Sequence, residues 1–265
     1  MNTTPHETTA FNDADCTDAD RLTVSEFAKR IFFVTGEPGC GKSTFLAALM
    51  KKYNLRPSGF ITKKEAAPSE VAVYMHPVID GTAQYRYTTG NRIGICSPSK
   101  PAGFAPVFDA CGVMCLKQAE EAVLASLGGG HDGADCSGVI QKHNTAPEAE
   151  ASLLIPPTAD RSGAGCAETV PEQSALPVIL MDELGVMEAE AENFFRTVCT
   201  LFSNPRYYII GAVKPRGTRF LPVLEQMPEA AVFHLTPQNR TELYEQLERA
   251  QSFAAFLEAA GIKGI

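Results

Sequence analysis

The chain lacks any apolar run long enough to cross a bilayer, which takes about 20 consecutive apolar residues. Its opening stretch, MNTTPHETTAFNDADCTDAD, has no apolar segment of the kind a secretory signal needs and is acidic instead. Cytoplasmic residence without a membrane partner is the expectation. No basic helix and no array of basic and aromatic residues occurs, so nothing points to nucleic acid. The eight cysteines (16, 40, 96, 111, 115, 136, 166, 199) contain no CxxC pair. Disulfide frameworks belong to short secreted chains, so reduced thiols are expected here. A metal cluster of Cys111, Cys115, His131, Cys136 and His143 is conceivable but lacks the paired spacing of zinc sites.

What is present fits one large α/β domain, with 265 residues and an ordinary hydrophobic share of 45%. The net charge of −8 is confined to two segments. Residues 1–29 carry six acidic and two basic side chains, and residues 128–176 carry seven and two, which leaves the remainder at +1. The acidity therefore describes solvated segments, not the core. The first reads as a disordered tail. The second is rich in Gly, Ala, Ser, Pro and Glu, without periodicity, and reads as a disordered insertion and a candidate docking segment for a protein partner.

Between these segments the pattern alternates. RIFFVT (30–35) is a short strand buried on both faces. STFLAALMKKY places Phe45, Leu46, Leu49, Met50 and Tyr53 on one helical face. Residues 59–96 hold the short alternating runs GFITKKE, EVAVYMHPV and AQYRYTT, with IDGT (79–82) as an Asp-Gly turn in a β-hairpin region. MCLKQAEEAVLASL (114–127) returns to helix and should stop at Gly128–Gly130. LPVILMDELG (176–185) is an apolar strand ending in two carboxylates, AEAENFFRTVCTLF (189–202) a helix, and RYYIIGAV (206–213) and AAVFHL (230–235) further strands. TPQNRTELYEQLERAQSFAAFLEAA reads as one long closing helix, with Thr236 as N-cap and Pro237 at the first helical position. Apolar strands alternating with helices imply a mostly parallel sheet covered on both faces.

The stretch GEPGCGKST, Gly36 to Thr44, matches G-x-x-x-x-G-K-[ST] between a strand and a helix, as a phosphate-binding loop requires. Its members are Gly36, Glu37, Pro38, Gly39, Cys40, Gly41, Lys42, Ser43 and Thr44. Glycines let backbone N–H groups curl around phosphate oxygens, and the helix N-terminus adds positive charge. Lys42 would bridge the β- and γ-phosphates, and the Ser43 hydroxyl would ligate Mg²⁺. Asp182 ends an apolar strand, where a second metal contact belongs. Glu183 would point at the γ-phosphate and activate water as general base. Lys214, Arg216 and Arg219 follow a strand end, where cations meet phosphate or merely line a solvated loop. Asn239 and Arg240 could touch the nucleotide or cap the last helix. Cys40 lies within the loop, where oxidation would block nucleotide binding.

Together VTGEPGCGKST, GFITKKE, ILMDELGVMEAEAENFF and TPQNRTEL resemble the cancer-related and thermophile-type small nucleoside-triphosphatases, a P-loop family also labelled nucleotide kinases. DELGVME is the most specific element. The resemblance covers roughly 30–127 and 177–245. It implies Mg²⁺-dependent hydrolysis of ATP, GTP and other triphosphates on a RecA-like sheet in a single domain, 30–265, interrupted at 128–176. It places the phosphate role on Gly36 to Thr44, the metal role on Asp182 and the base role on Glu183. Glu188 matches the family's glutamate after methionine. Lys63 and Lys64 stand where the family commonly has acidic residues and then arginine. A nucleotide or small-molecule kinase, with Glu183 orienting an acceptor hydroxyl, is the first alternative. A nucleotide-switched binding module is the second.

Overall fold

The computed structural model describes residues 29–66, 70–96, 102–128 and 175–261. The expected tail and insertion lie outside the described residues apart from their edges, as do His131, Cys136 and His143 of the conceivable metal cluster. Among the described residues no three His, Cys, Asp or Glu side chains group to hold a metal, and no helix is long and apolar enough to cross a membrane. Cys111 and Cys115 are instead buried in the core.

Alternation along the first strand sets the architecture. In β1 (Ile31–Thr35), Ile31 and Phe33 enter one core while Phe32 and Val34 enter the other, all fully buried. Helix α1 (Lys42–Lys52) buries Phe45, Leu46 and Leu49 on the second face, with Met50 and Tyr53 half-buried beside them. Strand β2 (Leu55–Ala66) pairs antiparallel with β3 (Val71–Ile79), and β4 (Thr82–Ala83) folds back on β3. The expected Asp-Gly turn closes that hairpin: Asp80 and Gly81 both take positive φ, 48° and 80°, as a two-residue connection requires. The expected strand AQYRYTT keeps only Ala83 in β4; beyond it the Gln84 N–H still donates to the Pro77 carbonyl, but the Arg86 N–H goes to the His76 side chain instead of continuing the ladder.

Next come β5 (Arg92–Cys96), β6 (Ala102–Gly103) and the short helix α2 (Ala105–Val107). A π-helical stretch over Phe108–Gly112 leads into α3 (Val113–Gly128), so helical structure begins well before the expected 114. The chain then gives β7 (Leu176–Leu184), α4 (Glu192–Ser203), β8 (Ile209–Val213), α5 (Phe220–Glu225) and β9 (Ala230–His234). The closing segment is two helices, α6 (Arg240–Arg249) and α7 (Phe253–Gly261), and not the single one expected. Ala250 turns extended at ψ 126°, and the Ser252 hydroxyl accepts the Ala255 N–H at 3.1 Å to start α7. The bend lets Phe253, Phe256 and Leu257 reach the sheet beside Phe32 and Phe45.

The strands form one nine-stranded sheet in the order β6-β5-β3-β2-β7-β8-β1-β9, with β4 on β3. From β2 to β9 every pairing is parallel; beyond β2 the extension is antiparallel. α1, α6 and α7 cover one face and α3, α4 and α5 the other, giving the expected mostly parallel, RecA-like α/β arrangement. Phe33, Phe60, Phe194 and Phe202 fill one core and Phe32, Phe45 and Phe256 the other, all fully buried. Truncating any of them to alanine would cost about 3–5 kcal/mol. That rigid sheet holds the C-terminal ends of β1, β7 and β8 together.

Candidate active site

The loop from Gly36 to Thr44 joins the end of β1 to α1. Gly36, Gly39 and Gly41 have positive φ of 148°, 80° and 105°. At Gly36 a Cβ would lie 2.2 Å from the Leu235 carbonyl oxygen, so only glycine passes the end of β9. Gly41 sits left-handed at the start of α1, leaving the first helical N–H groups without intrahelical acceptors. Ser43 and Thr44 are exposed there, while Cys40 is buried beneath the loop with Sγ against Gly36. The Lys42 ammonium donates to the Gly36 carbonyl at 2.8 Å and the Glu37 carbonyl at 3.1 Å, folding across its own loop.

The acidic end of β7 holds a feature that its sequence does not announce. Pairing with β8 joins Met181 to Gly211 and Leu184 to Val213, so β7 carries one extra residue there. Such a bulge re-aims side chains. By alternation Asp182 continues the row of Val178 and Leu180 on the face of α1. Glu183 instead lines a small cavity on the other face, together with Val73, Ile93 and Phe108.

One Asp182 oxygen, Oδ2, accepts the Thr62 N–H at 2.9 Å and the Thr62 hydroxyl at 3.0 Å. Its other oxygen accepts no bond among the described residues. Burial pushes this carboxyl above the ordinary range and the Glu183 charge adds to that, against the Thr62 bonds and Lys63. Only β8 separates β7 from β1, so their axes lie about 10 Å apart at roughly 4.8 Å per strand. A serine hydroxyl and a carboxylate oxygen left free are hard oxygen donors, a set that fits Mg²⁺ with phosphate.

The cavity beside Glu183 is about 40 Å³, the size of a few waters, and its polar lining includes Thr62, Lys64, Glu188 and Lys214. Glu188 is 4% exposed, and its carboxylate accepts the Gly185 N–H. Burial raises its carboxyl to about 7, with Glu183 reinforcing the shift and the Gly185 N–H, its own N–H and Lys214 opposing it. In the sequence Glu188 carried only a motif match; five residues past Glu183, its burial depends on the fold of the turn after β7.

The other predicted residues divide. Arg216 is exposed and lines a second cavity of about 330 Å³ beside the loop, with Thr35, Glu37 and His234. Arg219 is turned away from that role: it pairs with Glu192 at 2.6 Å, donates to the Ala189 carbonyl at 3.1 Å and stacks on Phe195 at 3.9 Å. Asn239 precedes α6 without a side-chain bond to it and is held in its own turn, its Oδ1 accepting the Thr236 N–H at 2.8 Å and its Nδ2 donating to the His234 carbonyl at 2.7 Å. The Thr236 hydroxyl accepts the Asn239 N–H at 3.2 Å, so Thr236 caps the turn that feeds α6, whose first residue is Arg240 rather than Pro237. Arg240 is exposed.

A glycine loop between strand and helix, and an acid pair on the next strand but one, are the arrangement of a P-loop NTPase fold. Residues 163–248, from ahead of β7 into α6, match the NTPase family model NTPase_1. That match takes in DELGVME and TPQNRTEL and bears out the resemblance read from them. No curated protein matches the chain. Among solved structures it is similar to THEP1 from the hyperthermophile Aquifex aeolicus, at 17% identity and a TM-score of 0.47 over 82% of this chain and 96% of that one. It is also similar to a human cancer-related nucleoside triphosphatase, at 19% identity and a TM-score of 0.43 over 83% and 95%.

Proposed function

We propose that the chain is a Mg²⁺-dependent nucleoside triphosphatase that cleaves the γ-phosphate from ATP, GTP and related triphosphates. The loop N–H groups from Gly39 to Thr44 hold the β- and γ-phosphates, and Lys42 leaves its two carbonyls to join them. Ser43 and Asp182 would hold Mg²⁺, which neutralises charge on the phosphate oxygens when bound. Glu183 takes the proton from an attacking water as its oxygen bonds to the γ-phosphorus. The bond from that phosphorus to the β–γ bridging oxygen breaks, and the nucleoside diphosphate leaves with the electron pair.

The observation that carries this reading is the cavity that Glu183 lines on the face opposite Asp182. That cavity is water-sized, which favours water over an acceptor molecule as the nucleophile. Glu183→Gln should keep nucleotide affinity and lose hydrolysis by about 10²–10⁴-fold, the usual scale for a general base. Normal turnover in that variant, measured by phosphate release, would assign the base elsewhere.

A further inference from the structure

Resting on that reading, we infer that Lys214 is the cation that meets the γ-phosphate, and that Gly185 and Glu188 position it. Neither arginine of the same loop is placed so well. Arg219 is held by Glu192, Ala189 and Phe195. Arg216 lines the cavity beside Glu37, which Glu183 does not line. Lys214 immediately follows β8, the strand between the phosphate loop and the acid pair, and its N–H donates to the Leu184 carbonyl at 2.8 Å. That bond ties its backbone to the tip of β7.

The lysine arm has a seat of its own. Its methylenes cross Gly185 so closely that a Cβ there would lie 3.2 Å from Cδ and 3.3 Å from Cε. The Gly185 N–H is in turn held by the buried carboxylate of Glu188. One glutamate therefore fixes the peptide beneath the arm and lines the same cavity as Lys214. Lys214 lines that cavity with both Glu183 and Glu188 yet forms no ion pair within 4.0 Å among the described residues. An ammonium drawn toward two carboxylates but bonded to neither is free to take a phosphate oxygen as charge grows on it. Glu188 acts through Lys214 and does not touch the nucleotide.

The test compares Lys214→Met, Glu188→Gln and the double variant with the full chain. The readouts are kcat and KM for Mg-ATP, affinity for Mg-ADP with and without aluminium fluoride, and Tm. Lys214→Met should lower kcat by about 10²–10³-fold, as for a lost transition-state donor, with KM within about threefold if the ground state uses Lys42. Its affinity for ADP should hold while the tightening by aluminium fluoride is lost. Glu188→Gln should lower kcat by roughly tenfold without lowering Tm, and the double variant should be no slower than Lys214→Met alone. Unchanged tightening by aluminium fluoride in Lys214→Met would overturn the assignment of Lys214. Effects of the two variants that multiply would overturn the positioning role of Glu188. Absence of phosphate release by the unaltered chain would sink the hydrolase reading instead, and the aluminium fluoride measurement would still judge Lys214.

Discussion

Replacing Glu188 by glutamine tests the burial of that carboxyl through stability alone. In the folded protein burial raises its pKa to about 7, against an ordinary value of 4.5. Below the lower value the group is protonated in both states. As pH rises toward 7 the unfolded chain releases its proton while the folded chain keeps it, so the folded state loses stability relative to the unfolded one across that window. Each unit of difference is about 1.4 kcal/mol, so the full loss is about 3 kcal/mol. Glutamine is neutral throughout and still offers an oxygen to the Gly185 N–H. Urea unfolding of both proteins without nucleotide, at several pH values from 5 to 8.5, gives the difference directly. The variant should gain on the parent by about 2–3 kcal/mol across that range. Asp182, also raised, and His76, lowered by burial and by Lys63, are present in both proteins and largely cancel. Parallel stability curves would show that Glu188 does not bury its charge, and the reasoning would fail.

Lys42→Ala should abolish measurable nucleotide binding by calorimetry, and retained affinity would remove the phosphate role from the loop. Gly36→Ala should lower stability by at least about 2 kcal/mol, because its Cβ would meet the Leu235 carbonyl at 2.2 Å; an unchanged urea midpoint would count against that contact. Thr62→Val, removing a hydroxyl that holds Asp182 at 3.0 Å, should raise the Mg²⁺ concentration needed for half-maximal hydrolysis several-fold. An unmoved Mg²⁺ titration would separate Thr62 from the metal site.

The parts of the site legible in the sequence are those carried by local chemistry. Gly36 to Thr44 announce themselves because the backbone there needs glycine and the neighbours are strand and helix. Asp182 and Glu183 stand out as charges ending an apolar run. Their division between two faces is what strand alternation gives; the return of Leu184 to the face of Glu183 was not legible, because a bulge is a property of pairing with β8, over 25 residues away in the chain. Glu188 showed only as a motif match and Lys214 only as one of three cations after a strand, since one turn and one strand end meet only in the fold. Arg219 stood open between a phosphate cation and a solvated loop residue until its partner on α4 was in view. The closing helix reads as continuous from its apolar period, but Phe253 and Phe256 reach the sheet only through the bend at Ala250.

Phosphate release from ATP, GTP, CTP, UTP and ITP, with Mg²⁺ and with a chelator, in the unaltered chain and in Glu183→Gln, tests the central claim most directly. The account predicts release from several triphosphates without any added acceptor, loss of release under chelation, and a fall of about 10²–10⁴-fold in the variant. Release that survives chelation, or an unaffected Glu183→Gln, would contradict it.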